Sequence, residues 1–175
     1  RGIPTVNDFF SDSALRLAME NLPRTDLVTG TNVFAHIDDL EAILRAVSDN
    51  IGNGVFVFES PYFGDFYDGL QYDTVYHQHL SYLSLRPLIP FFEKFDLPIF
   101  DVDRTPIHGG SFRVYAGRGR ERSAVVDQML ADENWTDSDM DAFAAKVRQN
   151  REDLFGMIHS LWQEGKTIAA VSCPA

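Results

Sequence analysis

Cysteine is nearly absent from the sequence: Cys173 is the single thiol among 175 residues. No disulfide can form within the chain, and a zinc cluster built from several of its own cysteines is excluded. Because disulfides mark oxidising compartments, a reducing, cytoplasmic setting is the simplest expectation. No apolar run reaches the length of a membrane span, and no signal-peptide pattern opens the sequence. We therefore expect no membrane partner.

Basic residues are also in short supply, since 15 Lys and Arg face 26 Asp and Glu, for a formal charge of −11. Nucleic acids and anionic membranes require a basic patch, so this balance argues against both as partners. A phosphorylated small molecule is compatible with it, because one arginine and a few backbone N–H groups can hold a phosphate. Hydrophobic residues make up 45% of the chain and include 14 phenylalanines, enough for a core. The sequence does not indicate an oligomeric state.

The first part of the chain alternates between helix and strand signals. Helices are predicted over residues 13–22 and from residue 40 onward, where apolar residues recur at helical spacing. Buried strands are predicted at 26–31 and at 55–60, the second because "VFVFES" is β-branched and aromatic. The candidate helix N-caps are Ser11 or Asp12 for the first helix and Asp38 or Asp39 for the second. This alternation predicts parallel strands joined by helical crossovers.

A long aromatic segment leads to a second pair of strands. The stretch "PYFGDFYDGLQYD" is predicted to be a loop with at most a short helix, and long ordered loops at a strand exit are usually functional. Ser84 is predicted to cap the next helix, with Pro87 near its first turn. The strands "LPIFDVDRT" and "GSFRVYAG" are joined by "PIHGG", and so short a connection makes them antiparallel. The fold class is therefore α/β, with a parallel sheet that ends in an antiparallel pair.

The character of the sequence changes after Gly117, where we place a domain boundary. The following region is predicted to form a helix over "AVVDQMLADENW", a long helix from Asp137 to Glu164 and a strand in "KTIAAVS". A single strand cannot close a sheet by itself. The predicted domains are residues 1–117 and residues 118–175.

The segment "DTVYHQHLSY" concentrates proton donors and acceptors and leaves three interpretations open. In a metal site, a strand would place His77 and His79 on one face, with Asp73, Glu59 or His108 as a third ligand. That spacing is permissive, and no HExxH or cysteine pattern accompanies it. In a purely structural role, the tyrosines would pack and the histidines would cap loops or face water.

The third interpretation is proton transfer, which needs an imidazole, a polar group to set its tautomer and a hydroxyl to steady developing charge. His79, Gln78 and Tyr76 supply these three types. On a regular strand Gln78 would point away from Tyr76. The three side chains therefore converge only if the backbone turns here.

Two more clusters contain candidate binding residues. In "TPIHGGSFRVY", His108, Ser111 and Arg113 could hold a polar substrate, although the glycine pair alone is also typical of a hairpin turn. In "TNVFAHIDDL", Asn32 follows a predicted parallel strand, where open α/β sheets bind ligands, and His36 would lie beside the same crevice. Both of these residues could equally shape a loop and cap a helix.

Several of these stretches, in order, resemble the S-adenosylmethionine-dependent C-methyltransferases of deoxysugar biosynthesis. The resemblance is carried by "TNVFAHIDDL", "VFVFESPYF", "YDTVYHQHLSYLSL", "FDLPIFDVDRTPIHGGSFRVYAG" and "GKTIAAVSCPA". It implies a Rossmann-like methyltransferase domain flanked by an N-terminal zinc-binding module and a second, C-terminal Rossmann-like domain. The chain resembles the later part of the methyltransferase domain, 1–117, and the beginning of the C-terminal domain, 118–175. The zinc module and the glycine-rich cofactor loop of the family are not matched, so zinc is expected only in the full-length family. The isolated fragment is expected not to transfer a methyl group by itself.

The chemistry that the resemblance implies is methylation of a carbon next to the ketone of a nucleotide-diphosphate deoxysugar, through an enolate. His79 is the implied base and Tyr76 the group that binds or polarises the sugar oxygen. Gln78 stands where the family usually has glutamate, and an amide supplies no negative charge to raise a neighbour's basicity. The remaining assignments are Asn32 and His36 to the cofactor, and His108, Gly109, Gly110, Ser111 and Arg113 to the substrate.

Two other functions stay open at this point. A ligand-binding remnant would keep the sugar loop without catalysis, and the change at Gln78 is compatible with it. A metal-dependent hydrolase would be built on His77 and His79.

Overall fold

A four-stranded mixed sheet organises the computed structural model, which describes residues 2–3, 5–20 and 25–171. Its strands are β1 (Leu27–Thr31), β2 (Val55–Pro61), β3 (Ile99–Thr105) and β4 (Ser111–Ala116), in the spatial order β1-β2-β4-β3. Strand β1 runs parallel to β2, whereas β4 is antiparallel to both β2 and β3. The predicted α/β class, the parallel pair and the antiparallel pair are therefore confirmed.

Helices connect and follow these strands. The α-helices of the described residues are α1 (Asp12–Met19), α2 (Leu40–Ile51), α3 (Phe63–Asp68), α4 (Leu85–Glu93), α5 (Ala124–Asp132) and α6 (Asp137–Gln163). The caps of the first two lie within the predicted pairs, since Ser11 accepts from the Ala14 N–H at 3.2 Å and Asp39 from the Ala42 N–H at 2.9 Å. The last two positions of the predicted first helix, 21 and 22, lie outside the described residues. None of the helices described here is both long and apolar enough to cross a membrane.

A cluster of phenylalanine rings forms the core beneath the sheet. Phe56 and Phe58 alternate along β2 and are fully buried. Phe58 stacks on Phe34 with ring centroids 4.4 Å apart and on Phe92 of α4 at 5.6 Å. Alternation on a pleated strand puts both β2 rings on the same face, which is why this aromatic strand lies centrally in the sheet.

The N-terminus of α4 is capped differently from the prediction. Ser84 occupies the N-cap position but makes no side-chain cap hydrogen bond. Instead the buried carboxylate of Glu133, just after α5, accepts from the N–H groups of Leu85 and Arg86, both at 2.6 Å. A carboxylate satisfies two unpaired N–H groups and the positive end of the helix dipole at once, so it replaces the serine hydroxyl.

The aromatic segment between β2 and α4 contains short α3 and a single 3₁₀ turn at Tyr72–Thr74, as predicted. Residues 73–82 do not form a strand. The strand geometry that would have put His77 and His79 on one face is therefore wrong for this segment. The chain turns instead, because the His79 N–H bonds to the Tyr76 carbonyl at 3.0 Å.

The chain divides into two compact units, Arg1–Asn134 and Trp135–Ala175. Helix α5 belongs to the first unit, where it packs against β3 and α4. The domain boundary after Gly117 stays a prediction, since a compact unit and a sequence domain need not end at the same residue.

The second unit is dominated by α6, which confirms the predicted long helix. Thr136 and Asp139 form a reciprocal capping box at its start. The hydrogen bonds that Thr136 makes to the Asp139 carboxylate lower the pKa of that acid. The predicted strand at 166–172 is not found in its described part, residues 166–171, and Cys173 lies outside the described residues. A strand needs a neighbouring strand, and all four strands of the described chain lie in the first unit.

Candidate functional site

A cleft of about 280 Å³ opens beside the carboxyl ends of β1 and β2. It is lined from four segments: residues 32–36 after β1, residues 61–66 after β2, residues 71–83, and His108 of the β3–β4 turn. Parallel strands direct their carboxyl ends to one edge of a sheet, and ligands of open α/β sheets bind there. The segments that the sequence analysis singled out therefore meet at this edge.

His79 and Tyr76 form the central hydrogen-bonded pair of the cleft. Nδ1 of His79 lies 3.0 Å from the Thr74 carbonyl oxygen, and Nε2 lies 2.9 Å from the Tyr76 hydroxyl. A carbonyl only accepts, so Nδ1 carries the hydrogen, and Nε2 of the neutral ring accepts from the phenol. The arrangement leaves the basic lone pair of His79 on the nitrogen that is paired with Tyr76.

A turn of the backbone brings these two rings together. The hydrogen bond between the His79 N–H and the Tyr76 carbonyl places the residues three apart on one turn, with ring centroids 4.2 Å from each other. Gln78 does not join them. It is exposed and does not line the cleft; with His77 and Leu80 it borders a shallow surface on the other side of His36, which lines both. The backbone turn on which the proton-transfer hypothesis depended is present, but it unites only two of the three side chains.

Hydrogen bonds tie the 78–81 segment to His36 and Ala35, which follow β1. Nδ1 of His36 donates to the Gln78 carbonyl at 2.7 Å, and the Leu80 N–H donates to the Ala35 carbonyl at 2.8 Å. The His36 ring lies 5.0 Å from the His79 ring. The predicted cofactor residue His36 and the predicted base therefore share one wall of the cleft.

Asn32 lies directly after β1 in the left-handed region, with φ of +53°. Asparagine tolerates this conformation better than most residues, and its N–H is satisfied by the Glu59 carbonyl at 2.8 Å. Its side-chain oxygen is buried and has no hydrogen-bond partner among the described residues. Because buried polar atoms are normally paired, this lone acceptor at the cleft calls for a ligand that can donate to it.

The turn between β3 and β4, Ile107–Gly109, carries His108 to the cleft. His108 is exposed and left-handed, with φ of +54°, and the φ angles of Gly109 and Gly110 are +81° and +131°. A side chain at Gly110 would also collide with Asp65. Only glycine meets both conditions at that position.

Ser111 and Arg113, which the sequence analysis assigned to the substrate, do not line the cleft. The buried Ser111 hydroxyl donates to the Ile107 carbonyl at 2.9 Å and so braces the turn. Arg113 donates to the buried carboxylate of Glu59 at 2.6 Å and 3.2 Å, across neighbouring strands. That hydrogen-bonded carboxylate raises the pKa of the guanidinium.

The cleft residues that the sequence did not assign to the site include Gln71, Tyr82 and Tyr62. Gln71 donates from Nε2 to the Gly109 carbonyl at 2.7 Å. Tyr82 donates to the Thr74 carbonyl at 3.3 Å, and burial raises its pKa. Tyr62 lines the cleft wall, where burial and then the Glu133 carboxylate raise its pKa. All three lie in segments whose sequence pointed to function, but an isolated glutamine or tyrosine carries no spacing signal that assigns it a role.

The ligand set of the metal hypothesis is dispersed. Within the residues that the structure describes, no group of three or more His, Cys, Asp or Glu side chains is placed to hold a metal ion. His79 lines the cleft, whereas His77 does not and borders the shallow surface beyond His36. Glu59 is paired with Arg113.

Comparison with known proteins agrees with the motifs in the sequence. Residues 106–175 match the model of the C-methyltransferase C-terminal domain. The chain is 33% identical over 182 residues to C-methyltransferase NovU of Streptomyces niveus, a match that covers 99% of this chain and 43% of that relative. The chain thus spans less than half the length of the curated relative it matches. The match to that relative runs through both the cleft and the second unit, and together with the family model it supports placing the chain in the C-methyltransferase family.

Proposed function

We propose that the cleft takes part in the transfer of a methyl group from S-adenosylmethionine to a carbon next to the ketone of a nucleotide-diphosphate deoxysugar, with His79 as the base. The observation that carries this proposal is the hydrogen bonding of His79, with Nδ1 on a carbonyl and Nε2 on a phenol. A cytoplasmic setting and a Rossmann-like sheet are parts of the same proposal.

Proton removal from the sugar carbon is assigned to Nε2 of His79. The Thr74 carbonyl accepts the hydrogen bond from Nδ1, so the basic lone pair of the ring is on Nε2. The same carbonyl stabilises the imidazolium after Nε2 has taken the proton. Tyr76 occupies that lone pair in the free cleft. When the ketosugar enters, the phenol donates to the sugar oxygen instead, which frees Nε2 and stabilises the negative charge that develops on the enolate oxygen.

The residues near the end of β1 fit the methyl donor. S-adenosylmethionine supplies, when bound, an electrophilic methyl group on a cationic sulfur, and it also carries an ammonium group. The buried, unpaired side-chain oxygen of Asn32 can accept a hydrogen bond from that ammonium group. His36 lines the same side of the cleft. We assign these two residues to the cofactor.

The sugar side of the cleft is assigned to the β3–β4 turn. His108 is the turn residue that lines the cleft, and Gly109 and Gly110 give the turn its conformation. Ser111 and Arg113 brace the turn and the strand behind it, so we propose that they support the substrate site without contacting the sugar. Gln78 faces outward, and we assign it no part in the proton transfer.

The proposed deprotonation can be tested without the methyl donor. The chain is incubated in heavy water with the thymidine- and uridine-diphosphate forms of 4-keto-6-deoxyglucose, and deuterium at the carbons next to the ketone is followed by NMR. We expect exchange above the buffer rate, and a loss of about 100-fold or more in His79→Gln because general base catalysis contributes on that scale.

His77→Gln is the matched control, since His77 lies two residues away, is exposed and does not line the cleft, and we expect it to exchange like the unaltered chain. An unaltered exchange rate in His79→Gln would exclude this residue as the base. Binding of the ketosugar with no exchange in the unaltered chain would favour the second candidate, a non-catalytic binding protein, which the neutral Gln78 in place of glutamate also favours.

A further inference from the structure

We propose that Gln71 is a positioning residue that holds the base and the sugar-side turn in one arrangement, an inference whose catalytic part rests on the proposed function. Its side chain lines the cleft, and Nε2 donates to the Gly109 carbonyl at 2.7 Å. This bond joins the 71–83 segment directly to the turn that carries His108. We call it the Gln71 latch.

The main chain of Gln71 also leads to His79. The Gln71 carbonyl accepts from the Thr74 N–H at 3.0 Å and from the Thr74 hydroxyl at 2.8 Å. The carbonyl of Thr74 is in turn the acceptor for Nδ1 of His79. A third bond, from the Gln71 N–H to the Phe66 carbonyl at 3.0 Å, anchors the residue to α3. Gln71 therefore bonds both to the turn that carries His108 and to Thr74, the residue that orients the His79 ring.

Two glycines leave space for the latch. A Cβ at Gly69 would lie 2.8 Å from Nε2 of Gln71, and a Cβ at Gly109 would lie 2.9 Å from its Oε1. The amide therefore lies between two positions that have no side chain, and any other residue at either one would displace it. At Gly69 the backbone φ does not itself require glycine, so there the missing side chain leaves room for the Gln71 amide.

The consequence for catalysis is a fixed separation between the two histidines. His108 is exposed, and its turn is closed by the bonds that the Gly110 N–H and the Ser111 hydroxyl donate to the Ile107 carbonyl. The latch adds a link from this turn to the segment that carries His79. With the latch closed, a sugar held by His108 is presented to His79 at a set distance. Proton transfer depends steeply on such placement, so loosening the turn weakens substrate binding and misplaces the reacting carbon.

The latch is tested first without substrate. Gln71→Met keeps the length of the side chain but removes the N–H donor, and Gln128→Met makes the same change at an exposed glutamine of α5. We expect the NMR signals of the His108 ring and the hydrogen exchange of the Gly110 amide to change in Gln71→Met alone, with exchange roughly tenfold faster. Signals identical in the two variants would overturn the latch.

Gln71→Glu is a second variant that keeps the inference testable if Gln71→Met does not fold. Its carboxylate cannot donate to the Gly109 carbonyl at neutral pH, but the protonated acid can. We therefore expect the His108 signals to match the unaltered chain only below about pH 4, compared at equal pH. A pH-independent difference would contradict the hydrogen bond and indicate a steric effect.

The catalytic part is tested by the deuterium-exchange reaction with the same two ketosugars. We expect Gln71→Met to raise KM roughly tenfold, with a smaller fall in kcat, and Gln128→Met to change neither. Equal KM values would overturn the role in substrate positioning even if the ring signals move. If the unaltered chain shows no exchange, the proposed function fails, while the ring signals still decide whether the latch exists.

Discussion

The imidazole of His79 donates through Nδ1 to a backbone carbonyl and not to a carboxylate. A carbonyl fixes the tautomer and orients the ring, but it adds no full negative charge beside the base. The amide at Gln78 is directed away from the cleft, so it does not supply that charge either. In this chain the proposed base therefore depends on placement and tautomer, both of which the turn from Tyr76 to His79 sets.

Gly110 offers a second test at the residue scale. Gly110→Ala forces a side chain into a backbone with φ of +131° and against Asp65, so we expect a loss of about 2–3 kcal/mol in the free energy of unfolding. Urea denaturation followed by far-ultraviolet circular dichroism measures the loss. The matched control is Gly30→Ala on β1, where a Cβ meets nothing within 4 Å, and it should be neutral or slightly stabilising. Equal stabilities of the two variants would contradict the required conformation.

At the scale of elements, Glu133 connects two helices that are far apart in sequence. Glu133 is the C-cap residue of α5, and its buried carboxylate caps α4 through two N–H groups. The Arg86 side chain donates in return to the Glu133 carbonyl at 2.8 Å. Leu83, two residues before α4, forms a parallel bridge to Tyr62 after β2. The cap therefore positions the chain that forms one wall of the cleft.

Glu133→Gln removes the charge but keeps the shape of this cap. One amide oxygen cannot replace two carboxylate oxygens, and the amide N–H₂ would face a backbone donor. We expect a loss of about 1–3 kcal/mol in the free energy of unfolding, measured by urea denaturation. Glu121→Gln, at an exposed position before α5, should stay within about 0.5 kcal/mol of the unaltered chain. A Glu133→Gln variant as stable as this control would show that the α4 cap is dispensable.

At the scale of the whole molecule, the formal charge of −11 opposes the approach of an anionic nucleotide sugar. The cleft itself offers histidines, an asparagine and tyrosines, while Arg113 is held by Glu59 outside it. Recognition of the sugar is therefore expected to rest on hydrogen bonds and on local geometry more than on long-range attraction.

Salt dependence tests this balance of charges. Raising NaCl from about 10 mM to about 150 mM shortens the screening length from about 30 Å to about 8 Å, which weakens the repulsion. We expect the affinity for the ketosugar nucleotides to rise or hold steady, as measured by isothermal titration calorimetry, and the affinity for an uncharged nucleoside to stay unchanged. A steep fall of affinity with salt, typical of binding through a basic patch, would refute the account.

The elements of the first unit were largely predictable because their signals are local. Ser11 and Asp39 cap helices through bonds within the next few residues. The β-branched and aromatic sequence of β2 and the short "PIHGG" connection likewise specify a conformation over a few neighbouring residues. Helix α4 was predicted, but the side chain that caps it was not, and the strand predicted in "KTIAAVS" is not found in its described part, residues 166–171. Glu133 lies 48 residues from Leu85, and a strand forms only where another strand lies beside it.

The sequence by itself determined the α/β class, the family and the residue types of the cleft, because these follow from local pattern and from motif order. Tertiary structure alone decided that Tyr76 meets His79 while Gln78 turns outward, and that Arg113 pairs with Glu59. The physical reason is that hydrogen bonds such as the one from Gln71 to Gly109 depend on where distant segments meet in space.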